Sequence, residues 1–549
     1  NFGADYTPRG WGIPLWQAYN PSPEFDAVAE KLYTSDFTSV EERRDLMAQV
    51  IPLSMEDSVR IWLADGTGYA PWRKEITISS DLSGSVYGSQ LWAHTVRYDD
   101  RIGGSVTIGM PSIMHSPWNP VAGSRGIYDM MPIGGTSDLA TYNDPFTGLS
   151  LPNRVERAEV TVMEGLPVGV TLDWVTLDFA PEIVVPDDAW ADWDAEAQVW
   201  ITAGEKFTET QTVNRRSVVY YPEDLWETVA WHDGSPLDMG DLMMYMILTF
   251  DRAKEASPSY DESYVPYFNS FLSTFKGFRI LSEDPLVIET YDDYWLLDAE
   301  EMVNTWWPYY DAGPGAWHNM VPGLLADGNL EAAWSTGKAE ANGIELISYI
   351  AGPTVEILAN KLISATEEVF IPYAPTLGQY VTAEEAAARY ANLQEWFRRR
   401  GHFWLGTGPY YLERGFPVEG TLILQRNEAY PDPADRWSGF AEPPLPEIVV
   451  DGPGSVTTGE EAVYDVLVTF QDEPYPTADL KMVKYLVFDA TGQLAHAGEA
   501  GAVEDGYWQA TLSADVTGAL EAGSNQLVIV AVSKRAVIPV RATVQFVTQ

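Results

Sequence analysis

The sequence contains no cysteine, and this absence removes several kinds of chemistry. Disulfide bonds, thiolate metal sites and cysteine nucleophiles are excluded, and cysteine usage says nothing about the redox compartment. Basic residues are scarce, because 33 lysines and arginines stand against 80 aspartates and glutamates, which gives a formal net charge of −47. Nucleic acids and anionic membranes bind clustered positive charge. We therefore exclude nucleic acid as a partner and expect the acidity to favour an uncharged or cationic ligand.

Long apolar runs and several catalytic motifs are missing as well. No run of about 18 or more apolar residues is present, so the sequence predicts no membrane-spanning helix. The glycine pattern GxGxxG and the Gly-Lys-Ser/Thr of a phosphate loop are absent. The Gly-x-Ser-x-Gly elbow of serine hydrolases is absent too, and only 6 histidines occur. Nucleotide-binding and Ser-His-Asp enzymes are therefore disfavoured.

The chain is rich in apolar and aromatic residues. Its 549 residues are enough for several domains, and 46% apolar residues are enough for sizeable cores. Aromatic residues make up 13% of the chain and include 21 tryptophans. Trp and Tyr supply the large stacking faces that soluble carbohydrate- and peptide-binding clefts use. The composition indicates a folded, multidomain protein with aromatic surface to spare.

The most informative stretch runs from residue 228 to residue 254 and predicts a strand, a tight turn and a helix. Asp233 and Gly234 form a turn dipeptide, since Gly accepts positive φ and the Asp side chain can bond the backbone that follows. Asp238 precedes a long apolar run and stands three residues before Asp241, which is the spacing of a capping box. The helix is therefore expected to begin directly after Asp238.

A second informative stretch, Gly406-Thr407-Gly408-Pro409-Tyr410, follows a helix that Thr382 is expected to cap and Gly401 to end. Taken in this order, the two stretches resemble two signatures of the family 5 extracellular solute-binding proteins, the peptide, nickel and sugar receptors of ABC importers. The resemblance covers roughly residues 1 to 440. Within the first signature, His232 and Asp233 are interpreted as a turn that fixes the architecture.

The resemblance implies an α/β (α+β) two-lobed fold of the periplasmic-binding-protein type. It implies an extracellular substrate-binding protein that captures an oligopeptide or an oligosaccharide in an aromatic-lined cleft by lobe closure. The partner would be an ABC permease in the membrane. Neither enzymatic activity nor a cofactor is expected.

The order of the segments departs from the family. Residues 20–63, with a predicted strand at 59–63, resemble the end of a binding domain, whereas Gly103 to Gly109 resemble its first strand. A circular permutation or a longer precursor could explain this order. We favour the precursor, because the middle of a second lobe is not found between residues 440 and 549.

We therefore divide the chain into residues 1–100, the terminal segment of a second lobe whose upstream part is missing, and residues 101–445, the solute-binding lobe or lobes. An upstream segment cleaved from the same precursor is expected to remain bound. The chain begins with Asn1 rather than Met, which fits such processing. The expected location is extracellular or cell-surface, with a membrane tether in the missing N-terminal part.

Residues 446–549 alternate apolar and polar residues in short runs that turn signals separate. This pattern predicts a C-terminal all-β sandwich of the immunoglobulin or fibronectin-III type. The proline-rich stretch 443–446 before it predicts a hinge-like linker.

Eight side chains are predicted to line the ligand cleft. Four follow the expected first strand, where family members place ligand contacts, and four are aromatic residues on predicted loops or near the second signature. They are Trp118, Asn119, Tyr128, Asp129, Trp306, Trp307, Trp317 and Trp404.

Three alternatives stay open at this point. Alternate carboxylates at Asp192, Asp194 and Glu196 could ligate Ca²⁺, but the glycine and register of an EF-hand are missing, so an exposed acidic loop is favoured over a metal site. The protein could instead be a surface-layer or assembly protein with a receptor-derived fold. A glycosidase with two catalytic carboxylates is the third alternative, and 80 acidic residues do not allow such a pair to be located.

Overall fold

The computed structural model describes residues 18–58, 61, 63 and 69–549 of the protein. The strand predicted at residues 59–63 falls largely outside the described residues, as does the start of the chain up to residue 17. Helices and strands are mixed, at 28% helix and 28% strand with a multi-strand sheet, which confirms the α+β class. None of the helices in the described ranges is long and apolar enough to cross a membrane.

A helical hairpin comes first and consists of α1 (Pro23–Tyr33) and α2 (Val40–Asp57). Serine side chains cap both helices, Ser22 for α1 and Ser39 for α2, because each hydroxyl accepts a backbone N–H of the first turn that has no other acceptor. The apolar spacing of the sequence predicts one helix that opens at Ser22 or Pro23 and a second that begins near Thr38, and both are confirmed. The hairpin packs a small apolar cluster of its own around Phe25.

The next segment folds into short elements that pack against one another. Trp92 donates its indole N–H to the carbonyl of Met131 at 2.9 Å, and the backbone N–H of Asn143 donates to the side chain of Gln90 at 2.7 Å. The predicted boundary after residue 100 therefore divides two stretches that the structure joins. The elements are β1 (Ile76–Thr77), α3 (Ser85–Gly88), α4 (Trp92–Thr95), β2 (Arg97–Tyr98), α5 (Ile127–Gly135), β3 (Thr141–Asn143) and β4 (Ser150–Pro152).

Residues 103–109 were expected to form the first strand of a binding domain, and they form no strand. Gly103 and Gly104 adopt positive φ angles of 76° and 107°, which take the backbone out of the extended region. The stretch is largely exposed, and no strand in the described part of the chain pairs with it. The alternation of apolar and polar residues is typical of a strand, but a strand also needs a neighbour that accepts and donates its backbone hydrogen bonds. The prediction of a strand at residues 103–109 is therefore wrong.

A seven-stranded mixed sheet forms the centre of the body, a name we give to residues 69–445. Its strands are β5 (Arg157–Met163), β6 (Val175–Ala180), β7 (Trp190–Asp194), β8 (Val199–Thr202), β9 (Arg215–Tyr220), β10 (Phe275–Glu283) and β11 (Leu286–Asp292). Their order in the sheet is β6-β5-β9-β11-β10-β7-β8. Strands β5 and β6 run parallel, and the other neighbours are antiparallel. Short apolar runs between residues 150 and 225 predict β structure, which is confirmed because five of the seven strands lie there.

Helix α8 (Met239–Asp251) is buried on nearly all sides, as a helix without a continuous polar face must be. The carboxylate of Asp238 accepts the backbone N–H of Asp241, and the carboxylate of Asp241 accepts that of Asp238. The predicted capping box and helix start are thus confirmed.

The remaining elements of the body surround this sheet and helix. The helices are α6 (Ala203–Lys206), α7 (Leu225–Thr228), α9 (Val265–Thr274), α10 (Trp317–Gly328), α11 (Thr336–Asn342), α12 (Thr354–Glu368), α13 (Ala374–Leu377) and α14 (Ala383–Arg400). The strands are β12 (Tyr309–Tyr310), β13 (Gly313–Pro314), β14 (Ala332–Ala333), β15 (Glu345–Leu346), β16 (Tyr410–Phe416) and β17 (Thr421–Arg426). Thr382 caps α14 and Gly401 ends it, as predicted.

One hydrophobic core runs through the body. Its buried residues extend along the chain from Met114 to Leu412 and include most of α8. Trp231 from the first signature stretch and Leu405 beside the second belong to the same cluster. The two stretches are therefore parts of one packing unit.

Residues 446–549 form two five-stranded sheets around a separate core. The strands predicted there are present, and the inward-facing residues alternate with exposed ones. The elements are β18 (Glu447–Asp451), β19 (Ser455–Val456), β20 (Ala462–Phe470), β21 (Glu473–Pro474), β22 (Leu480–Phe488), β23 (Leu494–Glu499), β24 (Gly501–Glu504), β25 (Tyr507–Leu512), α15 (Ala514–Gly518), β26 (Gly523–Ser533) and β27 (Val540–Thr548).

The linker before this sandwich is packed rather than free. Pro444 and Pro446 are buried, and the hydroxyl of Tyr475 donates to the carbonyl of Pro444 at 2.8 Å. The sandwich also contacts the body, where the backbone N–H of Val537 donates to the carbonyl of Phe146 at 2.9 Å. The expectation of a hinge-like linker is wrong, because Pro444 and Pro446 are buried and Tyr475 of the sandwich holds the linker.

We expect Phe146→Ala to loosen the contact between body and sandwich. Phe146 is buried, and its ring centroid lies 6.0 Å from that of Phe440. Truncating a buried phenylalanine costs about 3–5 kcal/mol, so the free energy of unfolding should fall by about that amount. Amide hydrogen exchange at Val537 should become faster.

The matched control is Phe179→Ala, because Phe179 is 48% exposed on the edge strand β6. It should lower the free energy of unfolding by clearly less and leave exchange at Val537 unchanged. Exchange at Val537 that stays as slow in Phe146→Ala as in the wild type would contradict the docked arrangement.

Candidate functional site

The two signature stretches lie against each other through the imidazole of His232. The backbone N–H of Gly406 donates to Nδ1 of His232 at 3.1 Å, and Nε2 lies 3.1 Å from the carbonyl oxygen of Gly408. Because an N–H can only donate, Nδ1 must be the acceptor and Nε2 carries the proton. Burial lowers the pKa of His232 to about 4, which keeps the ring neutral.

Glycine is required at both positions that contact His232. A Cβ atom on Gly406 would lie 1.9 Å from the carbonyl oxygen of Thr136, and a Cβ on Gly408 would lie 2.5 Å from the backbone nitrogen of Ser137. Both neighbours are backbone atoms, which cannot move aside as a flexible side chain can. The glycines of the second stretch therefore serve close packing of the chain.

A set of charged groups lies beside His232, and we call it the buried charge network: Asp233, Asp238, Asp241, His318 and Arg389. Nε2 of His318 lies 2.8 Å from the carboxylate of Asp233. The guanidinium of Arg389 contacts Asp238 directly and lies 3.3 Å from Asp241 and from Nδ1 of His318. Burial raises the pKa of Asp238 and of Asp241, and the charge of Arg389 opposes that shift.

The buried charge network joins α8, α10 and α14, and the side chains of its members are buried except for that of Asp238, which is 25% exposed. Asp241 also accepts the indole N–H of Trp231 at 2.9 Å and the backbone N–H of Trp317 at 2.8 Å. Its members form hydrogen bonds with groups of the protein itself and are therefore not available to a ligand. The network is a structural element, in keeping with the interpretation of His232 and Asp233 as architectural.

Six of the eight predicted cleft residues are packed in the interior. Trp118 and Trp404 contact each other, with ring centroids 5.1 Å apart. The amide of Asn119 donates to the carbonyls of two other chain segments and accepts two backbone N–H groups of its own loop. Trp306, Trp307 and Trp317 are buried elsewhere in the core. In this conformation these six side chains have almost no surface that a ligand could contact.

Tyr128 and Asp129, the other two predicted residues, line an open cavity of about 250 Å³. The ring of Tyr128 is half-buried and packs edge-on against Tyr87, with centroids 5.2 Å apart. Asp129 is buried, and its carboxylate accepts the backbone N–H of Met114 at 2.6 Å and the hydroxyl of Ser124. The cavity therefore has an aromatic wall and a floor that internal hydrogen bonds hold in place.

Sequence reasoning missed the polar side chains of this cavity. Ser112, His115, Ser116 and Arg125 lie in the loop before α5, and Thr336 reaches the cavity from α11. The only signal for them was their position beside the predicted Asn119 and Tyr128. The aromatic residues were the more conspicuous choice, and most of them are core residues.

The expectation of an exposed acidic loop at residues 192–196 is largely wrong, because Asp192 and Asp194 lie half-buried in strand β7 and only Glu196 follows the strand as an exposed residue. Asp192 forms ion pairs with Lys254 at 2.6 Å and Lys206 at 3.2 Å. Asp194 accepts the backbone N–H groups of Glu196 and Ala197. Across residues 18–58, 61, 63 and 69–549, no group of three or more histidine and carboxylate side chains could hold a metal ion.

Comparison with known proteins assigns no family. No family model and no curated protein matches the chain. Among solved structures, the chain is similar to the crystal structure of the CARDB domain of the PF1109 protein from Pyrococcus furiosus, in complex with di-metal ions. That similarity covers 19% of this chain and 90% of the other, at 17% sequence identity and a TM-score of 0.14. A similarity this low supports no conclusion about fold or function.

We expect His232→Ala to lower the free energy of unfolding by about 1–3 kcal/mol. The substitution leaves the N–H of Gly406 without its acceptor, whereas the carbonyl of Gly408 keeps the amide of Asn427 as a donor at 3.2 Å. Urea unfolding measures the change. The control His115→Ala removes an exposed imidazole and should change stability by about 0.5 kcal/mol at most. Equal effects of the two substitutions would contradict the role given to His232.

The stability that His232 contributes should depend on pH in a defined direction. The folded-state pKa of about 4 lies below the unfolded value of about 6.5, so the contribution is present above pH 6.5 and is lost as the pH falls from 6.5 towards 4. A difference of this size corresponds to about 3 kcal/mol.

Buried Asp238 and Asp241 have the opposite effect, because an acid with a raised pKa loses stability as the pH rises. The comparison of wild type with His232→Ala isolates the histidine. Their stability difference, measured by urea unfolding at several pH values, should shrink between pH 6.5 and pH 4. A constant difference over that range would show that the ring is not held neutral.

Proposed function

We propose that this chain is the extracellular substrate-binding protein of an ABC importer and that it captures an oligopeptide or an oligosaccharide. One observation carries the proposal. Tyr128 and Asp129, which were selected on the resemblance to solute-binding proteins, line the open cavity of about 250 Å³.

The walls of the cavity are suited to binding because they are fixed before a ligand arrives. The side chain of Asn119 ties the loop to the carbonyls of Trp334 at 3.2 Å and Ile347 at 3.0 Å. Asp129 ties the start of α5 to the preceding loop through the N–H of Met114. A site that is already ordered loses little conformational entropy when it binds. Among the buried predicted residues, Asn119 thus supports the site without touching the ligand.

The cavity is too small and too open to enclose a whole ligand, which favours a cleft formed between two lobes. Pockets that enclose a whole small ligand measure about 300–1,000 Å³, and this cavity of about 250 Å³ is smaller and open. In our proposal the body supplies one lobe, and a second lobe closes over the ligand by hinge motion. The α1–α2 hairpin, with its separate apolar cluster, is the described segment that we assign to that lobe. A permease would receive the ligand.

Binding is favoured over hydrolysis by the state of the acidic groups. A two-carboxylate glycosidase needs a pair of available carboxyl groups beside the sugar. Asp129 is the one acidic side chain among the residues that line the cavity, and both of its oxygens accept hydrogen bonds.

The proposal is tested by identifying what the protein binds. We expect mass spectrometry of the denatured, purified chain to release a bound oligopeptide or oligosaccharide, and calorimetry with panels of both classes to give a saturable isotherm. Tyr128→Ala should weaken that binding about tenfold or more, since truncating a central aromatic contact typically costs more than 1 kcal/mol. The melting temperature should change little, because Tyr128 is only half-buried.

Tyr267→Ala is the matched control, because Tyr267 is 73% exposed on α9 and does not line the cavity. It should bind as the wild type does. Ordered oligomers that bind neither panel would instead favour the assembly-protein alternative. Turnover of a glycan or peptide that a single carboxylate substitution abolishes would replace the proposal with an enzymatic one.

A further inference from the structure

The cavity beside Tyr128 presents a positive charge that has no partner. Between residues 125 and 436, every lysine and arginine except Arg125 and Arg414 forms a salt bridge with a carboxylate. The chain has 80 acidic residues, so carboxylates are not in short supply. Arg125 lines the cavity with an exposed side chain and forms no hydrogen bond within the described residues.

The other polar groups of the cavity are also available donors. The imidazole of His115 is exposed and forms no hydrogen bond or ion pair in the described part of the chain. The hydroxyls of Ser112, Ser116, Tyr128 and Thr336 likewise have no partner among the described residues. Hydroxyl, imidazole and guanidinium N–H or O–H groups all serve as donors to an oxyanion.

Asp129, the single carboxylate that lines the cavity, does not neutralise the charge of Arg125. Asp129 is only 4% exposed, and its oxygens accept the N–H of Met114 and the hydroxyl of Ser124. Asp129 and Arg125 form no ion pair. The carboxylate is therefore turned into the protein, whereas the guanidinium remains available to the cavity.

We infer that this cavity binds a carboxylate-bearing unit of the ligand, with Arg125 as the charged contact. The inference rests on the proposed function and names the chemical class of its substrate. A guanidinium presents a planar fork of N–H groups that matches a carboxylate with two parallel hydrogen bonds. The cavity volume of about 250 Å³ fits one such unit rather than a whole oligomer. An acidic residue of a peptide and a uronic acid of an oligosaccharide share this chemistry.

The experiment uses the full chain and matched pairs of probes, each with one member that carries carboxylates and one that carries none. The peptide pair is Ala-Glu-Ala and Ala-Gln-Ala, both N-acetylated and C-amidated so that only the glutamate side chain is acidic. The sugar pair is trigalacturonate, with three carboxylates, and its neutral counterpart galactotriose. Calorimetry on the wild type should show one acidic probe binding about 10- to 100-fold more tightly than its neutral partner, which is the range for a charged hydrogen bond. The pair that shows the preference identifies the source of the carboxylate.

Three variants assign the preference to the cavity. Arg125→Gln should abolish it, and Arg125→Lys should keep part of it, because the charge remains but the fork is lost. Arg541→Gln removes an exposed, unpaired arginine on β27 of the sandwich and should leave it unchanged. Melting temperatures of all three variants check that folding is intact.

The outcomes separate this inference from the proposed function. Equal binding of acidic and neutral probes, or a preference that survives in Arg125→Gln, overturns the inference while leaving a binding protein. Failure of all four probes to bind also overturns the inference. The proposed function fails only if the broad peptide and oligosaccharide panels and the mass spectrometry of the purified chain find no ligand at all.

Discussion

The neutral imidazole of His232 is the interaction on which the body of this protein depends. It joins the turn before α8 to the chain after α14, across 174 positions to Gly406 and 176 to Gly408. A protonated ring would have two donors and could not accept the N–H of Gly406. The hydrogen bond from Gly406 to His232 therefore forms only where burial keeps the imidazole uncharged. That burial requires glycine at position 406, because any side chain there would collide with the backbone of Thr136. The neutral state of His232, the close approach of Gly406 to Thr136 and the packing of the core around them therefore depend on one another.

The buried charge network imposes a second condition on the same region. Removing a carboxylate or a guanidinium from water costs several kcal/mol, and the attraction between them offsets this only when the pairing is complete. Arg389 meets Asp238 and Asp241 at once, and His318 occupies Asp233. A shifted register of α8, α10 or α14 would leave one of these charges buried without a partner. The network thus disfavours alternative packings of the three helices, whatever its net contribution to stability.

Local sequence patterns predicted the parts of the structure that local chemistry determines. The start of α8 at its capping box, the caps of α14 and the alternating strands of residues 446–549 all follow from neighbouring residues. The predictions that failed needed information about distant parts of the chain. The strand at residues 103–109 lacks a neighbour, and the hinge at 443–446 is held by Tyr475.

The site shows the same division. Trp118 was predicted in the cleft because it follows the expected first strand, and Trp404 because loop-borne aromatic residues usually lie at the surface. Tertiary packing places both rings in the core. Arg125 could not be selected from the sequence, because being unpaired depends on which carboxylates fail to approach it.

The unpaired guanidinium also bears on how a charge of −47 can coexist with an anionic ligand. At physiological ionic strength the Debye length is about 8 Å, so most surface carboxylates act weakly on a group inside the cavity. A carboxylate hydrogen-bonded to Arg125 would lie about 3 Å away, well inside that length, and the nearby Asp129 is already engaged by the protein. Net charge therefore governs the approach of an acidic ligand, which repulsion slows, whereas the local contact governs its dissociation. Composition alone indicates a preference for uncharged or cationic ligands, but affinity is decided over the few ångströms in which the cavity differs from the rest of the surface.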